Sequence, residues 1–145
     1  MTAFVLDASV AVKWVIPPAN ETLSAEALRL LERYVTGEID FVVPDIFWAE
    51  IGDVLWKGAR QQRWPRNLAD GAVSALKDRN FLTISTQVLL PAALKIALLY
   101  DRSVYDAMYV ATAIQFKIDM ITADECLANA LAASLPVKWL GAFVT

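Results

Sequence analysis

The chain has no histidine, one cysteine and five glycines among its 145 residues. Without histidine, Ser-His-Asp and Cys-His nucleophilic catalysis, HExxH zinc sites and imidazole general bases are all excluded. The single cysteine, Cys126, cannot close an internal disulfide. The opening "MTAFVLDASVAVKW" lacks the basic and small-residue features of a secretory signal, so a cytoplasmic protein is expected. No GxxxxGK[ST] or GxGxxG loop is present, which removes the usual apparatus of nucleotide-dependent chemistry. The longest apolar stretch, "VLLPAALKIALLY" at 88–100, is too short for a bilayer and is interrupted by Pro91 and Lys95. Charge is scarce as well, at 20% of residues, and the net charge of −3 gives a field that repels polyanions. A phosphate-bearing substrate would therefore need metal ions or a local basic patch. Any chemistry has to run on carboxylates, hydroxyls, lysines or a bound metal.

What is present is apolar: 57% of the residues, above the ordinary share. An excess of that kind in a small domain points to an oligomer interface or a partner's groove. The length fits a single domain over 1–145 that buries about two-thirds of its unfolded surface. Short β-rich runs, "AFVLD" at 3–7, "DFVVP" at 40–44, "FLTIS" at 81–85, "DMIT" at 119–122 and "VKWL" at 137–140, alternate with helical patterns. These lie near 9–15, 21–36, 46–62, 66–79, 87–99, 104–116 and 124–133, with Pro44, Pro65, Pro91 and Pro136 as punctuation. Strands separated by helices predict a mainly parallel sheet of about five strands covered on both faces, a three-layer α/β/α sandwich. The consecutive patterns 46–62 and 66–79 predict a helical hairpin placed to project from it. Its sequence "WKGARQQRWPR" sets Lys57, Arg60, Arg63 and Arg66 among Trp56 and Trp64. This is either a solvated face whose stems cover apolar surface or a phosphate-contacting patch.

The acids fall at telling positions. Asp7 ends the first strand, and Asp124, in "MITAD", lies just beyond the fourth, so both stand on one edge of the sheet if the strands are parallel. Glu50, in "PDIFWAEIGDVLW", and Asp106, in "SVYDAMYVATAI", are acids in helices with almost no polar face. Asp53 lies one turn after Glu50. Each acid has a plainer reading. Asp7 caps the following helix; Ser103 and Asp106 form a capping box; Thr122 caps a helix whose first turn holds Asp124 and Glu125; Glu50 pairs with a buried arginine. Taken together, four carboxylates at one end of one sheet repel each other and resist ionising unless a cation binds among them. Oxygen-only ligands of this kind suit Mg²⁺ or Mn²⁺. Such a centre hydrolyses phosphodiesters without histidine.

The segments "FVLDASVAVKWV", "VVPDIFWAEIGDVL", "VYDAMYVATA" and "ITADECLANAL" resemble the successive acidic motifs of the PIN domain, and the whole layout resembles the VapC-type toxins of bacterial toxin–antitoxin pairs. The resemblance implies the PIN α/β/α sandwich and a metal-dependent endoribonuclease using Mg²⁺ or Mn²⁺. It implies Asp7, Glu50, Asp106 and Asp124 as the catalytic, metal-binding acids, with Ser9 and Thr122 as supporting hydroxyls. It further implies an RNA substrate, a homodimer, and an antitoxin whose C-terminal segment fills the groove. One position departs: three residues after Glu50 the family often has asparagine, and here stands Asp53.

Other readings fit less well. Haloacid-dehalogenase-like phosphatases need Asp-x-Asp, and the third position is Ser9; response-regulator receivers need a further acidic pair and a late lysine, and Lys138 is poorly placed. A non-catalytic PIN-like scaffold that binds RNA or protein is the remaining alternative, against which the four intact acids argue.

Overall fold

A computed structural model describes residues 2–143, which form five strands and seven α-helices. In chain order these are β1 (Thr2–Leu6), α1 (Ala8–Ala11), α2 (Ser24–Val35), β2 (Ile39–Pro44), α3 (Ile46–Arg60), α4 (Arg66–Lys77), β3 (Leu82–Ile84), α5 (Thr86–Tyr100), α6 (Val104–Phe116), β4 (Asp119–Thr122), α7 (Glu125–Leu131) and β5 (Val137–Trp139). Every strand is parallel to its neighbours, in the order β3-β2-β1-β4-β5. Runs of consecutive buried residues, Phe4–Leu6 in β1 and Phe41–Val43 in β2, show helices covering both faces.

This order places the functional edge. From β1 the chain steps through β2 and β3 to one side, and β4 and β5 lie on the other. The switch therefore falls between the C-terminal ends of β1 and β4, where open parallel sheets bind ligands. Leu6 pairs with Ile121, and the Asp7 amide donates to the Ile121 carbonyl at 3.1 Å. Both strands thus deliver their next residues to the same crevice.

α6 is the central helix, packed on β1, β2 and β4 and along α5. Ala107 to Ala113 are all buried, so the helix has almost no solvent face beyond its ends. The hairpin of α3 and α4 does not stand free of the sandwich. Phe47, Ile51 and Leu55 of α3, Trp64 at the turn, and Ala72 and Leu76 of α4 belong to the main core, leaving the basic tip exposed.

Helix ends differ from the sequence reading for local reasons. α2 starts at Ser24 rather than 21, because Lys13 Nζ holds Glu21 Oε1 and the Thr22 carbonyl outside the helix. α3 stops at Arg60, and Gln62 turns to φ 59° beyond it. Pro91 does not punctuate: α5 runs through it, sacrificing one backbone bond while Leu89, Ala93 and Ala97 pack against α6.

Candidate active site

Asp7 occupies the N-cap position of α1, yet its side chain caps nothing. Its Oδ2 instead accepts from Ser9 Oγ at 2.8 Å and Thr122 Oγ1 at 2.7 Å. Each hydroxyl has its direction fixed from behind, since Ser9 Oγ accepts from the Ala123 amide and Thr122 Oγ1 from the Asp124 amide, both at 3.0 Å. The turn after β4 therefore aims two O–H protons at one carboxylate oxygen. Burial raises the Asp7 carboxyl above its ordinary pKa; the two hydroxyl donors oppose this, and the charge of Asp106 adds to it.

Glu50 pairs with a tyrosine rather than an arginine. The Tyr109 hydroxyl donates to Glu50 Oε1 at 2.5 Å, joining α6 to α3. Burial raises the Glu50 carboxyl; the tyrosine bond opposes it, and Asp7, Asp106 and Asp53 raise it further. Tyr109 is fully buried, and its phenol is pushed far up by burial and by the charges of Asp7 and Glu50, so it stays a donor. The sequence reading missed Tyr109. Its position, one turn after Asp106 on the same helix, was the signal available.

Asp106 sits in the first turn of α6, where its amide donates to Ser103 Oγ at 3.1 Å, so the serine half of the capping box is present. Arg102 Nη2 lies 3.6 Å from Asp106 Oδ2 and partly offsets its charge. Asp124 is itself the N-cap of α7, its Oδ1 accepting from the Leu127 amide at 3.1 Å. Thr122, read as that cap, instead serves Asp7 and the Asp124 amide. A fifth acid, Asp45 beyond β2, is structural: both its oxygens hold Thr86 at the start of α5.

The charge of Asp106 thus acts on both Asp7 and Glu50, that of Asp7 acts on Glu50, and Asp124 joins them through the hydroxyl network. Among the described residues no three acids form a ready-made metal cage. The donor set still fits Mg²⁺ or Mn²⁺: it is all oxygen, it is short of positive charge, and Mg²⁺ is commonly held by one or two carboxylates with water and substrate phosphate.

The basic residues divide. Lys57 is paired with Asp53 at 3.1 Å. Arg60 stacks over Trp56 and Arg63 over Trp64, with ring distances of 5.3 and 5.1 Å. Together with Arg66 they line a hollow of about 900 Å³ at the hairpin tip.

Residues 4–130 match the family model of the PIN domain. The chain belongs to the PIN domain family. No curated protein sequence matches it. Among solved structures this PIN domain is similar to PAE2754 from Pyrobaculum aerophilum, with TM-score 0.69 and 19% identity over 97% of this chain and 85% of that one. It is similar to a toxin–antitoxin complex from Klebsiella pneumoniae, with TM-score 0.62 and 19% identity over 93% and 95% of the two chains. It is also similar to VapBC2 from Rickettsia felis bound to a DNA fragment from its promoter, with TM-score 0.61 and 11% identity over 95% and 98%.

Proposed function

We propose that the chain is a single PIN domain over 1–145 that acts in the cytoplasm as a metal-dependent endoribonuclease, the toxin of a VapBC-type pair. The observation that carries this reading is the held acid pair at the β1–β4 crevice, Asp7 fixed by Ser9 and Thr122 and Glu50 by Tyr109, with burial and the charge of Asp106 raising both carboxyls. Asp7, Glu50, Asp106 and Asp124 would hold one or two Mg²⁺ or Mn²⁺ ions. A bound ion supplies neutralising charge at the scissile phosphate and acidifies a water.

The protein's own groups set the geometry. Ser9 and Thr122 fix Asp7 Oδ2, so this acid presents one rotamer to the crevice. Tyr109 holds Glu50 from the buried side and, remaining protonated, does not compete for the cation. Asp124 keeps one oxygen on the helix cap. Arg60, Arg63 and Arg66 offer a local cluster of phosphate contacts on a protein of net charge −3.

The partners follow from exposed surface. The outer side of α5 leaves Val88, Leu94, Leu98 and Leu99 in solvent, Leu98 at 77% exposure, and we assign it to a homodimer contact. The Klebsiella pneumoniae and Rickettsia felis neighbours support an antitoxin partner. The test is incubation of purified protein with unstructured RNA and with DNA of the same sequence, in Mn²⁺, Mg²⁺ or EDTA. Endonucleolytic cuts in RNA that disappear in EDTA are expected. Intact RNA in both metals would leave the scaffold reading standing.

A further inference from the structure

Beside Ser9 and Asp124 opens a cavity of about 300 Å³ whose other walls carry Lys13, Glu21 and Arg63. Val12, Ile16 and Val54 supply an apolar lining. Lys13 is an unexpected tenant. Its side chain is only 6% exposed and that of Glu21 23%, with Nζ donating to Glu21 Oε1 at 3.0 Å and to the Thr22 carbonyl at 2.7 Å. Placing an ammonium and a carboxylate out of water is costly, and apolar contacts would fasten this loop to the short 3-10 turn Val12–Trp14 after α1 at less expense. The pair instead puts a fixed donor and a fixed acceptor into the wall of a cavity that borders the acid centre.

We propose that this cavity is a subsite for one base of single-stranded RNA beside the scissile phosphate, and that Glu21 selects guanine there. The inference rests on the ribonuclease reading for its substrate class. A base has an apolar face and a polar edge, which the lining and the Lys13–Glu21 pair match respectively. Guanine is the RNA base whose Watson–Crick edge offers two adjacent N–H donors, N1–H and N2–H₂, next to the O6 acceptor. A carboxylate takes the two donors, and the neighbouring ammonium takes O6. Arg63 stands where it can meet the adjoining phosphate. Arg63 and Trp64 also line the hollow at the hairpin tip, so a strand leaving the subsite runs onto Arg60, Arg66 and Trp56.

The experiment is fluorescence anisotropy with uridine-rich octanucleotides carrying one guanosine, inosine or adenosine, using the full protein in EDTA so that nothing is cut. Inosine lacks the N2 amino group. The guanosine strand should bind about tenfold more tightly than the other two. Glu21→Gln should bring all three within about twofold, and Arg63→Gln should weaken all three alike while preserving their order. Should Glu21→Gln fail to fold, the guanosine–inosine comparison in the parent protein decides. Equal binding of the three strands by the parent, or no measurable binding, overturns the subsite, as does discrimination that survives in folded Glu21→Gln. The same strands in Mn²⁺ separate the two claims. Cutting without guanine preference in binding removes the subsite alone; preference in binding without cutting removes the ribonuclease reading alone.

Discussion

Asp7 and Glu50 are held in surroundings that disfavour their charge, and this makes the metal-free protein sensitive to pH in a definite direction. Both carboxyls are raised in the folded state, by burial first and by neighbouring acids in addition. The folded protein then retains protons that the unfolded chain releases. Their contribution to stability is fully present below the ordinary carboxylate pKa of about 4 and is lost as pH rises through the raised values. In EDTA, Asp7→Asn should melt at a higher temperature than the parent at pH 7, with the two curves converging at pH 4; differential scanning fluorimetry across that range reads this. An equal or lower melting point for Asp7→Asn at pH 7 would show that the charge is already compensated. Tyr109→Phe keeps the ring in the core but leaves Glu50 Oε1 without its donor. Metal affinity or cleavage rate should fall by about 10–100-fold with little change in the circular dichroism spectrum. Tyr109, Arg102 and Asp45 were the residues hardest to read from sequence. A tyrosine on an apolar helix looks like core, and the acid it serves lies 59 positions away. Asp7, Glu50, Asp106 and Asp124 stood out as candidates because a charge at a strand end or in an apolar helix is conspicuous.

The elements were legible for a related reason. Each of the five strands is a short run dominated by apolar or β-branched residues and bounded by turn residues or helix caps, and parallel pairing follows from the intervening helices. Less legible was how the hairpin sits. Two consecutive helical patterns between strands suggested projection, whereas Phe47, Ile51, Leu55, Trp64, Ala72 and Leu76 bind the hairpin to the core. Gly58 shows how tightly. A Cβ there would stand 1.8 Å from Trp64 Cζ2, and the indole is fixed by its Nε1–H donating to the Leu55 carbonyl at 3.1 Å. Gly58→Ala should therefore destabilise by about 1–3 kcal/mol despite the better helix propensity of alanine, as measured by chemical denaturation. A neutral result would mean that the hairpin turn moves freely on α3.

For the whole molecule, composition signalled surplus apolar surface without locating it, since periodicity cannot say which side of an all-apolar helix meets the protein. In the structure its densest stretch lies along α5, with Val88, Leu90, Leu94, Leu98 and Leu99 exposed. If two copies bury it, Leu98→Lys should convert a dimer to a monomer in light scattering while leaving far-ultraviolet dichroism unchanged. A parent protein that is already monomeric at micromolar concentration would assign this face to something else.

The proposed activity is RNA cleavage by the acids at the β1–β4 crevice with a divalent cation. Asp106 tests it best, because its carboxylate acts on Asp7 and Glu50 through charge, whereas the cap that starts α6 uses its backbone amide, which Asn retains. The decisive measurement is the rate at which parent and Asp106→Asn proteins cleave one RNA in Mn²⁺, with folding checked in parallel. A loss greater than about 100-fold is expected in a fully folded variant, beyond the range seen when only a residue supporting a metal ligand is altered. Equal cleavage by the two proteins would contradict it.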